Sequence, residues 1–143
     1  MARATRKVTI ADVEYVAYRL AKETMEWDEP IPDFGTRFPG KLESCINAPF
    51  QTFSRKNLYK GVEGKAAILF YLMIKNHPFQ NGNKRIAITT LLYFLHTNNR
   101  WLRVDNQVLY EFAKKVAASD SKLKDSMIEV IEGFIETAVV KRS

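Results

Sequence analysis

Residues 77–85, His-Pro-Phe-Gln-Asn-Gly-Asn-Lys-Arg, place a base, an apolar anchor, a turn and two cations within nine positions. His77 can act as a general base near neutral pH. Asn81 and Asn83 can ligate a cation or bond phosphate, and Gly82 permits a tight backbone turn. Lys84 and Arg85 open the next helix, where free backbone N–H groups already favour anions. The stretch reads as a phosphate-handling loop. The same residues also fit a plain helix–helix connection in which Pro78 and Gly82 are punctuation and the cations are solvated.

The flanks favour the first reading. Before the loop runs Ala66-Ala67-Ile68-Leu69-Phe70-Tyr71-Leu72-Met73-Ile74. After it come Ile86-Ala87-Ile88 and Leu91-Leu92-Tyr93-Phe94-Leu95. Helices apolar on nearly every face are normally buried. A polar loop between two central helices is held on firm supports, as catalytic geometry requires.

At 143 residues and 46% apolar composition the chain is long enough for a real core, and a single domain over residues 1–143 is expected. Residues 66–74 form the longest uninterrupted apolar run, well short of the roughly twenty residues that a spanning helix needs. No apolar signal core follows the basic segment Arg3 to Lys7, so a soluble, cytoplasmic protein with no membrane partner is expected. The single cysteine, Cys45, excludes an intrachain disulfide and reads as a small buried residue. The second histidine, His96, reads as a packed or capping imidazole. The net charge of +6 suits an acidic partner. The basic residues are scattered without a stripe, so direct nucleic-acid binding is not expected.

Thr9-Ile10-Ala11-Asp12 has the form of a capping box, and apolar residues at helical spacing predict a helix over about 10–26. Three prolines and two glycines make residues 27–40 irregular. A short helix over about 41–47 precedes Pro49-Phe50-Gln51-Thr52-Phe53, whose alternation predicts a small extended flap. Helices follow over about 65–76 and 84–98, with Pro78 disfavouring helical geometry at His77. Residues 101–104 look extended, Asp105 caps the next helix, and a last helix runs from about 122 to 140. The fold class is mainly α, a compact helical bundle with one small β-hairpin flap.

The nine-residue motif resembles the signature of the Fic/Doc family, His-x-Phe-x-(Asp/Glu/Asn)-(Gly/Ala)-Asn-x-Arg, and the layout around it, over about residues 9–135, looks like the Doc, or death-on-curing, branch. The resemblance implies transfer of a phosphate-containing group from ATP, with Mg²⁺, to a protein hydroxyl. By it His77 is the general base and Phe79 the loop anchor. Asn81 stands at the usual magnesium-binding carboxylate. Gly82, Asn83 and Lys84 at the helix start hold phosphate, and Arg85 clamps it. The flap of Phe50, Gln51, Thr52 and Phe53 would hold the target segment by strand addition.

Three departures refine this expectation. Lys84 replaces the glycine of AMP-transferring members, and Ile88 stands where they carry a second arginine. In the Doc branch the lysine accompanies an inverted nucleotide and transfer of the γ-phosphate. The resemblance therefore implies a toxin-type protein kinase acting on a Thr or Ser of a translation factor, by analogy elongation factor Tu. AMP transfer is the neighbouring alternative. Asn81, the third departure, lacks the charge that Mg²⁺ prefers, which leaves open a catalytically weakened nucleotide- or peptide-binding module. The inhibitory pattern Ser/Thr-x-x-x-Glu is not evident, since Ile128 precedes Glu132 at that spacing. Control by a separate Phd-like antitoxin is the expectation.

Overall fold

The computed structural model describes residues 4–141. Six helices dominate the described residues. The first, α1, runs through Ile10–Asp12, a π-helical turn Val13–Ala17, and Tyr18–Glu23. Its start is a reciprocal capping box: Asp12 N–H donates to Thr9 Oγ1 and Thr9 N–H to the Asp12 carboxylate. The chain then crosses residues 24–33 without regular structure, makes one 3₁₀ turn at Phe34–Thr36, and forms α2 (Lys41–Asn47).

Helices α3 (Gly61–Lys75) and α4 (Asn83–Thr97) are the antiparallel centre of the molecule. Every residue of α3 from Gly64 to Ile74 is buried, as the absence of a polar face in the sequence requires. Around this pair pack α1, α5 (Asn106–Ala118) and α6 (Lys124–Ala138). Asp105 caps α5 through a bond from Gln107 N–H. Stacked rings of Phe70, Phe112 and Phe134 join α3, α5 and α6, with centroids 6.3 and 4.2 Å apart. No helix among the described residues is long and apolar enough to cross a membrane.

The expected small hairpin is present, though its bounds differ. The hairpin consists of β1 (Thr52–Phe53) and β2 (Lys56–Asn57), while Pro49 and Phe50 lie in a 3₁₀ turn. Ser54 and Arg55 both take positive φ, the geometry of a two-residue hairpin turn without its usual Asn-Gly signature. A second antiparallel pair joins β3 (Arg100–Leu102) to β4 (Val139–Lys141). Sequence periodicity extends the last helix through 140; instead α6 stops at Ala138, where β-branched Val139 and Val140 pair with Leu102 and Trp101.

Candidate functional site

The loop between α3 and α4 is locked by one side chain. Buried Asn83 accepts a hydrogen bond from Phe79 N–H at 2.9 Å and donates to Phe79 O at 2.8 Å, closing the turn on itself. Phe79 is buried, its ring against those of Tyr18 and Phe34 at centroid distances of 6.4 and 5.9 Å. The Tyr18 hydroxyl in turn donates to Pro32 O. The loop is thus fastened to α1 and to residues 32–34 as well as to its own helices.

Gly82 precedes α4 at φ +71°, a conformation that glycine adopts without penalty. The amides of the first turn of α4, which have no intrahelical partner, form the positive end of its dipole, and no side chain caps them. Lys84 is half-buried and makes no ion pair among the described residues. His77, Gln80 and Asn81 are exposed. His77 stands just past α3 with φ +48°, an uncommon backbone state for a residue with a Cβ. His77 and Lys84 thus flank the Phe79–Asn83 turn, with His77 and Asn81 open to solvent and Gly82 and Asn83 buried.

Arg85 sits otherwise. Its guanidinium is buried and donates to main-chain carbonyls: Nε to Thr24 at 3.1 Å, Nη1 to Glu29 at 2.7 Å, and Nη2 to Thr24 at 2.8 Å and to Ala21. The expected bidentate clamp on phosphate is not presented; the arginine instead gathers the C-terminal carbonyls of α1 and the chain that follows it. This arrangement suits arginine, whose donors are fixed in a fork and whose charge complements a helix C-terminus.

Residues 24–33 form a strap over the loop; the helix expected to about 26 ends instead at Glu23, and the irregular chain expected from 27 begins at Thr24. Pro30 and Ile31 lie against Gly82; a Cβ built there would meet Ile31 Cδ1 at 2.5 Å. The strap is tied to α5 by the Tyr110 hydroxyl, which donates to Asp28, and by the edge-on contact of Trp27 with the Tyr110 ring at 4.5 Å. Burial and then the bonded Asp28 hold the Tyr110 phenol well above its usual range, so it stays a donor. Its sequence signal was indirect: Pro30 and Pro32 fix extended backbone but not where it packs.

The hairpin does not join the site. Lys65, on the first turns of α3, donates to Tyr59 O at 2.6 Å and lies over the Phe50 ring at 5.7 Å. Phe50 and the hairpin therefore stand at the N-terminal end of α3, about 20 Å of helix from His77. Phe50 packs on Phe94, whereas Gln51, Thr52 and Phe53 are exposed.

For a magnesium ion the loop offers little charge. Among the described residues no group of three or more His, Cys, Asp or Glu side chains could hold a metal. Exposed Asn81 can contribute one neutral oxygen, which fits a Mg²⁺ that arrives with most of its ligands from nucleotide phosphates and water. Cys45 is buried, its thiol pushed up to about 12 by burial, and it is inert rather than nucleophilic. His96 is exposed, packs edge-on to Trp101 at 6.2 Å, and with Ile88, Thr89, Leu20 and Met25 lines an apolar cavity of about 460 Å³ beside α1.

Comparison with known proteins agrees with the motif. The Fic/DOC family model matches residues 7–95. The Toxin Doc of Mycolicibacterium smegmatis is 32% identical over 101 residues, covering 69% of this chain and 77% of that protein. No solved structure matches the chain. With the signature loop built on α3 and α4 as described, the chain belongs to the Fic/Doc family.

Proposed function

We propose that this protein is a Doc-like toxin that transfers the γ-phosphate of ATP to a Thr or Ser hydroxyl of a protein, by analogy elongation factor Tu, and so inhibits translation. The observation that supports the reading is the Asn83 clasp on Phe79, which fixes the turn between exposed His77 and the start of α4. There the amides at the helix start and Lys84 would take the transferred phosphate. His77 would accept the proton of the attacking hydroxyl, and Asn81 would lend an oxygen to the Mg²⁺ that accompanies the nucleotide.

Two features support γ-phosphate over AMP transfer. Lys84 stands where AMP-transferring members of the family have a glycine, and Ile88 lines the apolar cavity where they have an arginine. Lys84 is then the cation that the motif offers to phosphate. The Doc relative also suggests a Phd-like antitoxin as partner. The apolar cavity beside α1, with exposed Leu20 and Trp101 at its rim, is the surface that suits an amphipathic antitoxin segment.

The test is incubation with a bacterial lysate, Mg²⁺ and ATP labelled in parallel at the α- or γ-phosphate, beside the His77→Ala variant. Label from γ alone, lost in the variant, is expected. Label from α that depends on His77 would establish nucleotidyl transfer instead. Nucleotide binding without transfer would favour a weakened binding module.

A further inference from the structure

A second cavity adjoins His77 on the side of α2. It measures about 490 Å³, and Gly40, Lys41, Ser44, Lys75, Asn76 and His77 are among its lining residues. Its two cations are held in place without a carboxylate. Lys75 Nζ donates to the carbonyls of Ala117 and Ser119 at 3.2 and 2.5 Å, at the C-terminal end of α5. Lys41 Nζ lies over the Phe38 ring at 5.0 Å. Neither lysine forms an ion pair among the described residues, and no acidic side chain lines the cavity. Two lysines and a serine line the open cavity and no carboxylate does, a balance of charge that favours an oxyanion.

The remaining question is which reactant supplies that oxyanion, and here the inference rests on the transfer proposed above. Gly82, Asn83 and Lys84, which would hold the transferred phosphate, do not line this cavity, whereas His77 does. In phosphoryl transfer the attacking and leaving oxygens lie roughly in line, so acceptor and nucleotide approach the phosphorus from opposite faces. The reactant that reaches His77 from the α2 side is then the acceptor. We propose that this cavity seats an acidic side chain of the acceptor polypeptide, close in sequence or space to the hydroxyl that receives phosphate, and that Lys41 selects it.

The proposal is tested by binding, without turnover. ¹⁵N-labelled protein is titrated with a short threonine peptide flanked by aspartates, with its asparagine-flanked twin, and separately with inorganic phosphate. The acidic peptide should shift the amides of Gly40, Lys41, Ser44, Asn76 and His77, with the twin at least tenfold weaker. Lys41→Glu should weaken the acidic peptide by a similar factor and bind a lysine-flanked peptide in its place; Lys41 is exposed, so the variant should keep its fold. Equal binding of acidic and neutral peptides, or shifts that miss these residues, would overturn the proposal. Displacement of the peptide by equimolar phosphate would overturn it too, by assigning the cavity to the phosphate donor. Peptide binding at these residues in a protein that never transfers label would uphold the cavity while the kinase reading fails.

Discussion

The carbonyl oxygen of Thr24 accepts two hydrogen bonds from the Arg85 guanidinium, one from Nε at 3.1 Å and one from Nη2 at 2.8 Å. Thr24 is the residue that ends α1, and Arg85 lies in the first turn of α4, so one side chain joins the strap to the helix that begins at the loop. A lysine cannot reproduce that fork. Arg85→Lys should lower stability in urea unfolding by about 3 kcal/mol, because buried carbonyls lose charge-assisted partners. Limited proteolysis should then cut within residues 24–33 first.

His77 carries a positive φ that costs a non-glycine residue about 1 kcal/mol. His77→Ala should abolish transfer and leave the melting temperature near that of the parent protein, since the side chain is exposed. His77→Gly should also be inactive, yet withstand more urea than the alanine variant. Equal midpoints for the two would show that the backbone there relaxes freely.

Gly82→Ala should cost about 1–2 kcal/mol from its left-handed backbone alone, and more because its Cβ would meet Ile31. Adding Ile31→Ala should recover the steric part and leave the backbone part. A double-mutant cycle on denaturation midpoints reads the coupling directly.

Asn81→Asp should lower the Mg²⁺ concentration for half-maximal transfer severalfold, because a carboxylate would replace the amide oxygen proposed to meet the metal. An unchanged requirement would remove Asn81 from the metal.

Glu132, partly buried on α6 and near Glu136 and Glu63, has its carboxyl raised above the usual range, first by burial and then by those neighbours. The folded state then holds that proton more tightly than the unfolded one. Stability is lost as pH rises from the ordinary carboxylate range through the raised value. Glu132→Gln should therefore raise the melting temperature at pH 7 by on the order of 2 °C, with the gain vanishing in acid. Melts at pH 4 and pH 7 check this.

The helical frame was legible because its signals are local. The capping box at Thr9, the cap at Asp105 and the unbroken apolar runs beside the loop each depend on residues within a few positions. The strap was not legible, since what places Ile31 on Gly82 is a set of long-range bonds from Arg85 and Tyr110. For the same reason the motif's arginine read as a phosphate clamp: its type favours anions, but three carbonyls more than fifty residues away claim it. The hairpin was sensed from alternation at Pro49 to Phe53, yet alternation says nothing of which end of α3 it adjoins. Extended chain was legible at 101–104, but its pairing with β4 escaped because Val139 and Val140 continue a helical apolar pattern that only the partner strand interrupts.

The π-helical turn at Val13–Ala17 gives α1 one residue more than an α-helix of the same span would hold, and each residue turns a helix by about 100°. The capping end and the strap end of α1 are therefore out of phase with a continuous α-helix. Removing one residue from this turn would leave a regular helix whose two ends disagree. With the Thr9 end kept in place, Tyr18 and Ala21 would rotate away from Phe79 and Arg85, and the signature loop would lose two of its supports without a change in its own sequence.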